Sequence, residues 1–188
     1  MAYVSRPRGF ELRDASKDVS VNMYLVKADD TAPIGIGDPV ALDTDGVELV
    51  NGFYMPVVHR AAAGEAIVGV MVGCDPYIGR TESTINLSLK HRPASTKAVI
   101  LVCDDINAVY AVQMDADGTD FTGADAFLYF DQITAVDCDL VTGISKAELD
   151  QSTAHATDGQ FRVIGIDRKI NNVTIEDNVT VLVKISNT

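Results

Sequence analysis

The sequence has no tryptophan, and aromatic residues make up only 6% of it. Hydrophobic residues still amount to 47%. A core is therefore affordable, global disorder is excluded, and aliphatic residues must do the filling. Cysteine is scarce, at Cys74, Cys103 and Cys138. An odd count cannot pair fully within one polypeptide, and there is neither a CxxC nor a zinc spacing. Each cysteine adjoins an apolar run, as buried free thiols do, and a reducing cytoplasm is the expected setting. Long apolar runs are missing. No uncharged stretch approaches about eighteen residues, so no membrane-spanning helix is expected. The opening MAYVSRPRGFELRD has charges but no apolar h-region, so it does not read as a signal peptide.

Positive charge is also in short supply. The 188 residues carry a net charge of -12. Such a surface repels phosphate backbones and anionic lipid, so neither a nucleic acid nor a membrane is an expected partner. The imbalance is uneven. From Leu101 to Gln160 acidic residues outnumber the single basic residue, Lys146, by twelve to one. The first 27 residues reverse this, with Arg6, Arg8, Arg13, Lys17 and Lys27 against Glu11, Asp14 and Asp18. A basic arm on an acidic body can hold an acidic neighbour, another copy included, or can simply be a solvated tail.

What is present is a succession of short β signals. Residues 1–16 hold Pro7, Gly9 and three arginines with little periodicity, and are expected to form an extended arm. Residues 17–188 are expected to form a single β-rich domain, with a division into two lobes at about 17–76 and 96–188 left open. Val19 to Lys27 alternates as a strand does. PVAL, VELV and FYMPVV are separated by Asp43-Thr44-Asp45-Gly46 and by Asn51-Gly52. Both separators favour positive φ, so a three-strand meander is predicted. Ser83 to Leu89 alternates like an edge strand. Ala98 to Cys103, the run INAVYAVQMD, QFRVIGIDR and VTIEDNVTVLVKIS predict further strands. Phe127 to Val136 fits strand or helix. Ser145 and Glu148 have capping-box spacing, which predicts a short helix there. The fold class is therefore all-β or strongly β-dominated. It is a sandwich or barrel of short antiparallel strands with hairpins and one or two short helices.

The glycine-rich stretch AAAGEAIVGVMVGCDP, Ala61 to Pro76, raises the question of a phosphate loop. A GxxxxGK[ST] loop needs Lys and Ser or Thr after its last glycine, and Cys74 and Asp75 stand there instead. A helix would carry interior glycines and several β-branched residues. The stretch reads as a strand, with Gly69 and Gly73 marking a close backbone approach, a bulge or a barrel corner.

Motifs that carry chemistry are sparse. His59, His91 and His155 lie far apart and form no HExxH or i, i+4 pair, so no metal site is expected. Gly143-Ile-Ser145-Lys-Ala147 falls one residue short of a nucleophile elbow and lacks its strand and long helix. Asp115, Asp117, Asp120 and Asp125 surround Gly118 without the EF-hand order. A solvated hairpin tip is the default there, and a weak calcium site is left open. Asp104 and Asp105 are adjacent, so on a strand they point to opposite faces rather than into one site. No enzymatic activity and no cofactor are expected.

Several blocks, taken together and in order, resemble a family of tailed-bacteriophage head proteins of the capsid decoration or cement type. They are RPRGF (Arg6 to Phe10), GDPV (Gly37 to Val40), AAAGEAIVGVMVG (Ala61 to Gly73), RPAST (Arg92 to Thr96), LVCDD with VQMD behind it, TGISKAELDQST (Thr142 to Thr153) and FRVIGI (Phe161 to Ile166). The resemblance implies a non-enzymatic structural protein, made in the cytoplasm of a bacterial host and carried in many copies on the outer capsid surface of the virion. It implies contact with the major capsid protein, whose subunits it bridges to stabilise the shell. It also implies a homo-oligomer, a trimer rather than a dimer. Arg6, Pro7, Arg8, Phe10 and Arg13 are the candidate contact residues. The alternative is another virion component, in a tail, baseplate or fibre. After that comes a carbohydrate-binding module or small hydrolase, which would need a pocket with convergent polar groups.

Overall fold

The computed structural model describes residues 5–13, 19–76, 85–116, 121–133, 136–167 and 178–186. The fold is β-dominated. Its strands are β1 (Glu11–Leu12), β2 (Val21–Val26), β3 (Ile34–Gly35), β4 (Pro39–Val50), β5 (Phe53–Arg60) and β6 (Gly69–Cys74). They continue with β7 (His91–Arg92), β8 (Ala98–Cys103), β9 (Tyr110–Gln113), β10 (Tyr129–Phe130), β11 (Phe161–Ile166) and β12 (Thr180–Ile185). Among the described residues no helix is long and apolar enough to cross a membrane.

Two β units make up the fold. Strands β2-β5-β4-β6-β8 close a barrel, and β1-β9-β12-β11-β10 form an open sheet, while β3 and β7 make a separate two-stranded ribbon. Thus β8 closes the barrel begun by β2, pairing with it antiparallel from Val21↔Cys103 to Val26↔Ala98. The barrel interior holds Tyr24, Val26, Val40, Val58, Met71, Ile100 and Val102. Ala41, Ile67, Val70 and Cys103 face outward from the barrel into a larger core with Tyr110, Val112, Phe130, Phe161 and Val183 of the sheet. Burial of this aliphatic surface from both units fastens barrel to sheet.

The predicted meander is corrected to a two-strand hairpin. Asp43 to Gly46 do not reverse the backbone. They sit within the continuous β4, between the pairs Leu42↔Val58 and Val47↔Pro56. Residues 43–46 therefore stand opposite Val57 alone, as a wide bulge. Asp-Gly supplies positive φ to a bulge as readily as to a turn, and Gly46 has φ 71°. The reversal comes at Asn51 and Gly52, with φ 51° and 84°, both positive as a two-residue hairpin turn requires. The bulge redirects the outer half of the hairpin over the barrel's outside. Val50 and Met55 there cover Leu25, Val57 and Val99 in a third cluster. The ion pairs Lys27–Asp45 and Lys97–Glu48 lie alongside.

The predicted helix at Ser145–Glu148 is also corrected. Gly143, Ser145, Ala147 and Leu149 are buried while Ile144 and Lys146 are exposed, which is the period of two of an extended backbone. Leu149 bridges both Met114 and Gln132, so sheet-like pairing outweighs the capping box. A single 3₁₀ turn follows at Gln151–Thr153, capped by Asp150. Of the predicted edge strand, Ser83 and Thr84 lie outside the described residues. Ile85 to Leu89 form a turn in which the Leu89 amide donates to the Asn86 carbonyl at 3.1 Å. Phe127 to Val136 contributes the two-residue β10; Thr134 and Ala135 lie outside the described residues.

The glycine-rich stretch is architecture. Strand β6 begins at Gly69, where an added Cβ would collide with the carbonyl oxygen of Cys103. The β6–β8 register slips between Met71 and Gly73, which is a bulge.

Candidate functional site

The candidate contact residues do not lie on a free arm. Strand β1 pairs with β9 through Glu11↔Ala111 and Leu12↔Tyr110. Phe10 is only 2% exposed and stacks on Phe161 with ring centroids 4.2 Å apart. Its amide donates to the Gly37 carbonyl at 2.9 Å. Phe10 is therefore an anchor, out of reach of a partner. Pro7 is half-buried, and Arg6, Arg8 and Arg13 are exposed. Arg13 lies 2.8 Å from Glu11 and 3.2 Å from Asp167, and Arg8 lies 3.4 Å from Glu11. Part of the positive charge is thus neutralised locally. The Arg6 amide donates to the Gln113 side chain at 3.1 Å, which fastens the segment a second time.

Exposed apolar side chains gather on the outer half of the β4–β5 hairpin. Leu49 and Tyr54 are cross-strand partners, exposed at 55% and 74%. Val47, two residues before Leu49 and paired with Pro56, extends the same face. Phe53 is 68% exposed at the turn. Val21 and Met23 precede Leu25 on one face of β2 and are exposed as well. Solvent-facing aromatic and aliphatic groups gathered at one hairpin form the kind of patch that marks a contact surface. The sequence did not announce this face, because consecutive apolar residues such as Phe53 and Tyr54 suit a strand covered on both sides as well as an exposed one.

The groups that could do chemistry are dispersed. Ser145 is buried, its hydroxyl donating to Asp38 and accepting from the Ala147 amide at 2.9 Å. It is not poised as a nucleophile. Burial pushes the Asp38 carboxyl up to about 6, against the lowering effect of Ser145, the Gly35 amide and Arg60. Burial also raises Asp104, but hydrogen bonds from Asn22 and Tyr24, each 2.8 Å, leave its carboxyl below the usual range. Asp105 instead accepts from the Asn107 amide at 2.8 Å, so the two neighbours serve separate purposes. His59 pairs with Glu65 at 2.9 Å, and the three histidines do not converge. Among the described residues no group of three or more His, Cys, Asp or Glu could hold a metal ion. Of the acidic loop, Asp117 and Asp120 lie outside the described residues. Asp115 accepts from the Gln151 amide at 3.0 Å, and Asp125 from the Thr122 amide at 2.6 Å.

One open groove of about 420 Å³ is lined by Glu65, Asp131, His155, Asp158 and Gln160 among others. Its polar groups are largely engaged in holding loops together. Asp131 accepts from the Gln160 amide at 3.0 Å, and the Gln160 side chain donates to the carbonyls of Ala62 and Glu65, both at 2.7 Å. No protein-family model matches the sequence, and no curated protein matches it.

Proposed function

We propose that this protein is a non-enzymatic structural component of a tailed bacteriophage, decorating the outer capsid surface and bridging major coat protein subunits. The observation that carries the proposal is the exposed apolar hairpin face of Val47, Leu49 and Tyr54 with Phe53 beside it. A surface of this kind on an acidic β body suits attachment to another protein. The ordered sequence blocks supply the phage assignment. The exposed Arg6 and Arg8 lie in RPRGF and offer charge to an acidic coat surface. Repetition over a lattice turns individually weak contacts into firm attachment. A homo-oligomer, trimer before dimer, is part of the same proposal.

The test is light scattering of the purified protein, alone and with empty capsids. A defined oligomer saturating capsids at a fixed ratio to the coat protein supports decoration. The double variant L49S/Y54S should keep the fold and lose capsid binding. A wild-type protein that ignores capsids but enters purified tails would favour a tail, baseplate or fibre component.

A further inference from the structure

We infer that Asn51 is a site of spontaneous deamidation, and that the product disables the hairpin tip as a contact surface. The first half stands alone; the second rests on the docking function proposed above. Asn51-Gly52 is the sole Asn-Gly pair in the sequence, and both residues are exposed at the end of the hairpin.

The chemistry needs only the protein and water. The backbone nitrogen of Gly52 attacks Cγ, the carboxamide carbon of Asn51. A bond forms between that nitrogen and Cγ, the bond from Cγ to Nδ2 breaks, and Nδ2 leaves as ammonia once protonated. The resulting succinimide is a five-membered ring. Water then opens it at either carbonyl, giving aspartate or isoaspartate, with no change of oxidation state. Glycine favours the attack because it has no Cβ, and the space where one would sit at Gly52 holds no atom within 4 Å. The Asp-Gly pairs of the sequence offer ionised carboxylates in place of the amide, and these are poorer electrophiles. Asp45, before Gly46, is also ion-paired with Lys27.

The folded turn restrains this reaction. Asn51 and Gly52 sit at φ 51° and 84° in a tight turn, and closing the ring needs rotation about the Asn51 Cα–C bond, which the paired strands on either side oppose. The turn lies beyond the terminal pair Val50↔Phe53, where opening breaks the fewest contacts. The rate therefore reports opening of the tip. The product adds a carboxylate beside Phe53. In isoaspartate it also adds a backbone atom to a two-residue turn whose length sets the Leu49↔Tyr54 register.

The experiment ages the intact protein in mildly alkaline buffer, with Asn51→Gly as control. Glycine accepts the positive φ and has no amide to lose. Peptide mass spectrometry and isoaspartyl methylation follow each asparagine. The NH2-to-OH mass gain should accumulate at Asn51 several times faster than at any other asparagine, and faster still in urea. Equal or slower reaction at Asn51 overturns the site. Aged wild type should then lose capsid binding in proportion to its isoaspartate, while aged Asn51→Gly keeps it. Modified protein that binds as well as fresh protein overturns the second half and leaves the site standing. Fresh protein that does not bind capsids overturns the docking function and the second half together, again leaving the site standing.

Discussion

The hydroxyl of Ser145 donates to the buried carboxylate of Asp38, joining residues 107 positions apart. The other carboxylate oxygen accepts from the Gly35 amide at 2.6 Å. The Asp38 backbone contributes too, its carbonyl accepting from the Met71 amide at 2.9 Å. One residue thus fixes the turn between β3 and β4 to the extended segment that carries Leu149 into the core.

This arrangement makes stability depend on pH. Burial lifts the Asp38 carboxyl from its ordinary 3.8 to about 6 in the folded protein. The folded state therefore binds the proton more tightly than the unfolded one. The contribution of Asp38 is fully present below about pH 3.8 and is lost as pH rises through about 6. The loss amounts to about 3 kcal/mol at most. Asp38→Asn removes the titration. Urea unfolding of both proteins at several pH values should show the variant gaining on wild type between those limits. A constant offset across that window would contradict it.

Phe10 and the arginines around it should separate cleanly. Phe10 is stacked on Phe161 in the main core, so Phe10→Ala should cost about 3–5 kcal/mol. The exposed pair Arg6 and Arg8 should tolerate replacement by serine within about 0.5 kcal/mol. Deleting residues 1–13 should accordingly lower the melting temperature, because the deletion removes β1 and a core ring together. Thermal unfolding by circular dichroism decides this. A truncated protein that melts with wild type would show that the segment is dispensable to the fold.

How much of this was legible depends on the range of the interaction. The pattern of Ala98 to Cys103 specified a buried strand with the observed limits, because a short unbroken apolar run rich in β-branched residues between polar flanks was sufficient. Asp43 to Gly46 were ambiguous, since positive φ serves a bulge and a turn alike and only pairing with β5 distinguishes them. Ser145 to Glu148 matched a capping box locally. The opposing facts, burial of Ala147 and Leu149 and the bond to Asp38, come from distant segments. Apolar runs at Val47–Val50 and Phe53–Tyr54 carried no sign of exposure, because hydrophobicity alone does not tell a core strand from a contact face. Phe10 was hidden for a similar reason. A lone aromatic in a polar stretch shows its burial only when Phe161 arrives across the sheet.

Arg92 is fully buried, and its guanidinium donates to the carbonyls of Thr96 at 2.8 Å, Ala32 at 2.7 Å and Lys27, with Asp30 at 3.7 Å. A fork of several donors meets several acceptors, which a lysine ammonium cannot reproduce in the same plane. Arg92→Met should cost about 3 kcal/mol, because the carbonyls lose their shared donor and Asp30 loses its neighbouring positive charge. Arg92→Lys should recover only part of that. Chemical denaturation of the three proteins gives the ranking. A lysine variant as stable as wild type would mean that charge alone, rather than the fork, holds this loop.

The two glycines of β6 lie four residues apart in one local sequence but do different work. An added Cβ at Gly69 would meet the backbone carbonyl of Cys103, and the carbon of that carbonyl at 3.0 Å. Backbone where the start of β6 meets the end of β8 cannot yield without shifting β6 off β8. Gly69→Ala should therefore cost about 3 kcal/mol or more. At Gly73 the nearest atom is the tip of the Leu101 side chain, 3.3 Å away, which can turn aside. Gly73→Ala should cost less than about 1 kcal/mol. Paired denaturation curves measure the gap directly. Equal losses would mean that the bulge at Gly73, rather than the close approach at Gly69, governs how tightly the barrel closes.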